Sequence, residues 1–192
     1  MEYKTALGIV AVVISIFGYV PYFRDILSGK TKPHAFSWLV WGILNGIAFA
    51  GQIHGKGGAG TWAVGLTAVA LCSIFVLALI KGEKHIKPFD WLCLGGAALA
   101  LVLWVITSQP LASIVLITVV DAFGFLPTIR KAYGKPRQET LITYEINTVK
   151  YILVVLALQN YTLTTTLFAA AVAAMNALFV GMLIIRRKQV KT

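Results

Sequence analysis

Hydrophobic residues along this chain fall into long unbroken runs instead of the alternating or one-sided stripes of a water-soluble fold. Runs of the roughly 20 residues that a helix needs to cross a hydrocarbon core cover 5–28, 33–53, 59–81, 88–107, 109–131, 138–159 and 162–186. The breaks between them are short and carry Gly, Pro, Lys or Asn-Tyr, so the pattern predicts seven helices in one bundle with no soluble domain. The few polar residues inside the runs share a depth. Asn45, Ser73, Asp121, Lys150 and Asn176 fall near the middle of the second, third, fifth, sixth and seventh runs, and Ser15 joins them on the first. At about 1.5 Å of rise per residue, each lies about 12 to 21 Å from either end.

One phrase is written twice. Phe17-Gly18-Tyr19-Val20-Pro21-Tyr22-Phe23-Arg24 returns as Phe123-Gly124-Phe125-Leu126-Pro127-Thr128-Ile129-Arg130, and each copy leads into a Gly-Lys pair, Gly29-Lys30 and Gly134-Lys135. Such self-similarity implies duplication: residues 1–86 hold the first three runs, 109–192 the last three, and 87–108 a fourth that links them. Because the linker returns the chain across the membrane, the two repeats are expected to be parallel. Each proline removes a backbone donor and crowds the carbonyl of Phe17 or Phe123, which makes a kink that can bend. Pro21 and Pro127 are therefore the candidate hinges. Gly18 and Gly124, about one turn earlier, are expected to let a neighbouring helix approach closely.

Composition sharpens this picture. With 58% hydrophobic and 12% charged residues and a mean hydropathy of +0.81, the chain has too little polar surface for a soluble globule. The net charge of +10 reads as topology, not as a nucleic-acid surface. Of the seventeen basic residues, fourteen follow the first, third, fifth and seventh runs, ending with Arg186, Arg187, Lys188 and Lys191. Lys4 and Lys56 occupy the opposite face and Lys150 lies inside a run. The positive-inside rule then puts the N-terminus outside and the C-terminus in the cytoplasm of a plasma (inner) membrane. The first run starts like a signal peptide, but it is long and lacks a small-x-small site before Arg24, so it is expected to stay as a helix.

Cys72 and Cys93 sit within runs, where a small apolar side chain packs well. His34, His54 and His85 lie in or beside loops, away from any carboxylate cluster, so neither a metal site nor a cofactor is expected. The same placement leaves no Ser/His/Asp set inside the bundle, and no catalytic residues are expected.

The three-plus-one-plus-three order, the outside N-terminus, and Pro21 and Pro127 in the first helix of each triplet together resemble the SWEET and PQ-loop clan of transporters. The resemblance covers the whole chain. It implies an all-α membrane protein of seven transmembrane helices, built as two parallel three-helix repeats joined by a linker helix. It also implies translocation by rocking of one repeat against the other about flexible prolines. The sugar-carrying branch places a polar pair, often Asn, midway along the third helix of each triplet; Asn176 would be the second member, while the partner region holds Cys72 and Ser73.

The residues themselves point the same way, because ionisable groups within a membrane are costly enough to be functional by default. Asp121 and Lys150 are expected in direct contact, on adjacent antiparallel helices joined by a tight basic turn. Asn147 and Lys150 share a polar face with Thr143, while Trp38, Trp41 and Asn45 are spaced i, i+3, i+7. The candidate substrate site is therefore Trp41, Asn45, Ser73, Asp121, Asn147, Lys150 and Asn176, with Glu145 nearer the cytoplasm. The expected function is transport of a small polar solute, such as a sugar, amino acid or vitamin-like molecule, by alternating access. Asp121 is the group through which protons would be coupled. The competing function is a non-transporting receptor or sorting protein on the same fold. The partners expected are the solute and the lipid bilayer, with no nucleic acid.

Overall fold

The computed structural model describes residues 2–29, 33, 35–82, 88–134, 136 and 141–190, with side chains at all of these except 90, 93, 126–128, 130 and 131. Among the described residues the chain forms α1 (Glu2–Leu27), α2 (Ala35–His54), a 3-10 turn (Gly58–Gly60), α3 (Thr61–Lys81), α4 (Pro88–Thr107), α5 (Pro110–Gly134), α6 (Leu141–Ala157) and α7 (Leu163–Gln189). Each apolar run has become a helix whose ends lie within three residues of the expected ones. The boundaries follow local chemistry. Pro88 and Pro110 open α4 and α5, where a missing N–H costs nothing. Thr162 caps α7: its hydroxyl accepts from the Thr165 amide at 3.3 Å, and the Thr165 hydroxyl accepts from the Thr162 amide at 3.0 Å. Arg186, Arg187 and Lys188 sit in the last turn of α7, where the helix dipole favours cations.

Four helical segments are long and apolar enough to cross a membrane: Glu2–Leu27, Ala35–His54, Gly58–Lys81 and Leu163–Gln189. Leu94–Thr107 and Pro110–Phe125 are shorter apolar stretches, and α6 has 17 residues. The exposed surface is itself apolar. Phe17, Ile80, Leu92, Val105, Ile106 and Leu178 are between 71% and 77% exposed, while Asn45, Gln52, Thr67 and Lys150 are buried. Such an inside-out distribution suits a hydrocarbon solvent.

Packing does not follow chain order. α3 lies against both α1 and α2, and α7 lies against both α5 and α6. Between these groups α1 meets α6 and α2 meets α5, while α4 packs on α5 and α2. A core containing Leu44, Val64, Ile117, Val154 and Phe168 is common to both groups. A smaller one, Ala132, Phe179 and Leu183 with Phe125 and Tyr144 against it, belongs to α5, α6 and α7 alone.

The glycines of the repeated phrase do not mark the close approaches. A Cβ at Gly18 would meet only Ile146 at an ordinary 3.6 Å, and one at Gly124 would meet nothing within 4 Å. The tight contacts lie at the other end of α1. A Cβ at Gly8 would come within 2.6 Å of the Ala59 carbonyl, and one at Gly60 within 2.7 Å of both the Val154 carbonyl and the Leu158 amide nitrogen. Helices can close on backbone only where a side chain is missing, and where the last three helices meet the first three that place is the 3-10 turn.

Polar bonds tie the two groups of helices at this same end. Lys4 Nζ donates to the Leu158 carbonyl at 2.6 Å, and Gln52 Nε2 to the Thr165 carbonyl at 2.9 Å. The Gln159 amide donates to the Gly57 carbonyl at 2.9 Å, and Asn160 Nδ2 to the Gly55 carbonyl at 3.3 Å. At the opposite end the bonds described each stay within one group. Lys81 Nζ donates to the Leu27 carbonyl at 2.9 Å, and Arg186 Nε and Arg187 Nε to those of Tyr133 and Pro136, both at 3.1 Å.

Candidate functional site

α6 turns Lys150, Tyr151, Val154 and Ala157 into the bundle, a spacing of three to four residues that keeps them on one face. α3 does the same with Ala63, Val64, Thr67, Ala70, Leu71 and Ile74. α2 buries Leu44 and Asn45. Where these faces converge with α1, a polar cluster forms at the junction of the first three and last three helices.

Its geometry is specific. The Tyr151 hydroxyl donates to Asn45 Oδ1 at 2.8 Å, and Asn45 Nδ2 donates back to the Trp41 carbonyl at 3.0 Å. Lys150 Nζ donates to Thr67 Oγ1 at 3.4 Å and lies over the rings of Tyr151, at 4.5 Å, and Tyr19, at 5.6 Å. Thr67 donates its own proton to the Ala63 carbonyl at 2.7 Å. Asp121 is half-buried on α5. Toward the C-terminal end of α1, aromatic rings close over the cluster: Tyr22 packs on Trp38 at 4.9 Å and Trp38 on Trp41 at 5.6 Å. On the other group Phe125, Tyr144 and Phe179 form a second such knot, with Tyr144 and Phe179 4.5 Å apart.

The structure brings several of the candidate residues together and adds Tyr151 to them. Asn45, Lys150 and Tyr151 form the centre, Trp41 supplies a carbonyl, and Asn147 lies one turn before Lys150 and Tyr151 on the same helix face. Asn176 is buried on α7 and bonds the Val172 carbonyl of its own helix at 2.8 Å. Ser73 is a correction. It is exposed and bonds back to the Val69 carbonyl at 2.8 Å, because it lies off the buried face of α3 that carries Thr67.

The expected Asp121–Lys150 contact is also overturned. No nitrogen–oxygen approach of 4.0 Å or less joins them; among the described residues the ion pair is Arg24–Asp25 at 3.6 Å. The physical reason is the helix order: α7 packs between α5 and α6, so the tight turn joining those two does not make them neighbours. Pro21 lies inside a continuous α1. The helix also continues through position 127, but the Pro127 side chain falls outside the described ones, as does that of Cys93; His34 and His85 lie outside the described residues. Among the described residues no three His, Cys, Asp or Glu side chains come together.

A cleft of about 690 Å³ opens near the N-terminus of α1, lined among others by Phe49, Trp62, Gly65 and Gln159. It does not reach Lys150 or Asn176, so the polar cluster and the cleft are separate features. No family model matches the chain, and comparison with curated proteins and with solved structures yields no match.

The repeated phrase still gives a frame for comparing the two groups, since Pro21 and Pro127 are 106 positions apart. At that offset Ser15 corresponds to Asp121, Trp41 to Asn147 and Asn45 to Tyr151. The hydrogen bond at the centre of the cluster thus joins two positions separated by the same spacing as the repeated phrase. Thr67 and Tyr19 are the residues that depth alone did not single out. The buried face of α3 and the phrase around Pro21 were the signals that carried them.

Proposed function

We propose that this chain is an integral membrane transporter of a small polar solute, with seven spans arranged as two parallel triplets and a linker helix, working by alternating access. The observation that carries the reading is the buried Lys150, held at the junction of two groups of helices with no carboxylate within 4.0 Å among the described residues. A purely structural cation would be paired, since a lone buried charge is costly. The reciprocal packing supports two related triplets: α1 against α6 is matched by α5 against α2, and the third helix of each group lies between the other two. Equivalent positions in contact, Asn45 with Tyr151, belong near an axis relating the copies. Sites of transporters built this way lie between their repeats near mid-membrane.

The test is a thermal-shift screen of sugars, amino acids, vitamins and nucleosides on the purified protein, followed by flux of each hit into liposomes. Pro21→Ala and Pro127→Ala should both slow that flux while leaving the protein folded, because each restores a helix hydrogen bond at a bend. Unchanged flux in both variants removes the hinge role. A hit that binds without crossing favours the receptor reading on the same fold.

A further inference from the structure

We propose that the Lys150 ammonium is the counter-charge for a small organic monoanion, a solute bearing one carboxylate, bound at the junction of the first three and last three helices. The inference deepens the transport reading and rests on it for the solute's route, though not for the site.

An ammonium carries three donors and no acceptor. Lys150 is 3% exposed, and among the described residues its one hydrogen bond is the 3.4 Å contact to Thr67 Oγ1. Tyr151 and Tyr19 cover it with ring faces, which stabilise a cation but offer no lone pair along the N–H directions. The neighbouring side chains do not fill its other donor positions. The Thr67 proton is committed to Ala63, so Thr67 meets Lys150 as an acceptor. Asn45 Oδ1 already accepts from Tyr151, and Asn45 Nδ2 donates to Trp41. Two of the three ammonium donors are therefore left without a bonded acceptor among the described residues.

A carboxylate supplies what is missing: one negative charge and about four lone-pair sites on two oxygens. A sugar hydroxyl brings a donor along with its acceptor and no charge, and an ammonium would be repelled. Asp121 is not the partner, since it makes no contact of 4.0 Å or less with Lys150. Lys150 is the one buried cation among the described residues, so a second negative group on the solute would be buried without a partner, which limits the ligand to a monoanion. The rings of Tyr19, Tyr151 and Trp41 offer apolar surface to the remainder of the solute.

The experiment compares acetate, butyrate and benzoate, each with its own amide, and succinate as the dianion, for binding to the purified full-length protein and for flux into liposomes. At least one monocarboxylate should bind about thirty-fold or more tighter than its amide, the low end of what losing one partner of a buried hydrogen-bonded charge pair costs. Succinate should bind more weakly, and the preference should vanish in Lys150→Met and persist in part in Lys150→Arg. Where Lys150→Met does not fold, the carboxylate-against-amide comparison on the unaltered protein decides alone. Equal binding of acid and amide, a preference that survives Lys150→Met, or no carboxylate binding at all overturns the proposal, whatever else is transported. Carboxylate binding that needs Lys150 but gives no flux upholds the site and sinks the transport reading.

Discussion

Gly60→Ala adds a single methyl where the last three helices press hardest on the first three. The new Cβ would lie 2.7 Å from the Val154 carbonyl oxygen, 2.7 Å from the Leu158 nitrogen and 2.9 Å from Leu158 Cδ2. A carbon and a carbonyl oxygen ordinarily approach to about 3.3 Å or more. The Leu158 side chain can rotate aside, but the two backbone atoms belong to the end of α6 and move only if the helix moves. Backbone strain is not involved, because Gly60 has φ −61 and ψ −22, which alanine adopts freely. Overpacking against a rigid neighbour costs about 2 to 3 kcal/mol, offset by about 0.5 to 1 kcal/mol from the stiffer unfolded chain. The net is about 1 to 2 kcal/mol, or a melting temperature lower by about 2 to 8 °C for a chain of this size. Thermal unfolding in one detergent measures it. Gly46→Ala and Gly181→Ala are the controls, since a Cβ at either would meet nothing within 4 Å, and neither should lower the transition. A Gly60→Ala protein that melts with or above the parent, or a control that falls as far, refutes the close approach.

Two further outcomes are expected. Tyr151→Phe leaves the buried Asn45 Oδ1 without its donor and should cost about 1 to 3 kcal/mol, whereas combining it with Asn45→Leu should recover much of that loss; strictly additive losses in thermal unfolding would show that the two do not act together. In a Cys72→Ala, Cys93→Ala background, a cysteine at Ser108 should react with an impermeant thiol reagent from outside and one at Lys188 should not. The reverse pattern would invert the topology and with it the assignment of the two ends.

The helices were legible because their signal is long and continuous: an apolar run of about 20 residues needs no partner to be recognised. The cluster was only half legible, since depth along a helix can be counted from sequence but direction around it must be inferred. Asn45 and Lys150 lie at the right depth and on the right face. Ser73 has the depth without the face, whereas Thr67, six residues earlier, falls in step with Ala63, Val64, Ala70 and Ile74 on the buried side of α3. Helix order was hidden for a different reason. A short turn between α5 and α6 suggests neighbours, yet α7 arrives later in the chain and packs between them. The contact expected of Asp121 and Lys150 failed on that account, although both side chains were rightly placed in the middle of their helices.

The four bonds joining the two groups at the N-terminal end of α1 give the bundle a mechanical asymmetry. α1 has 26 residues and is about 39 Å long. With that end as a fulcrum, a rotation of about 10° between the groups would part their far ends by about 7 Å and their middles by about 3 Å. The long arm of such a lever magnifies a small angle into a passage wide enough for a small molecule. At the middle, the first link to yield is the longest of those crossing there, Lys150 to Thr67 at 3.4 Å, ahead of Tyr151 to Asn45 at 2.8 Å. The same swing that widens the mouth would therefore release the ammonium toward it, while the fulcrum stayed bonded.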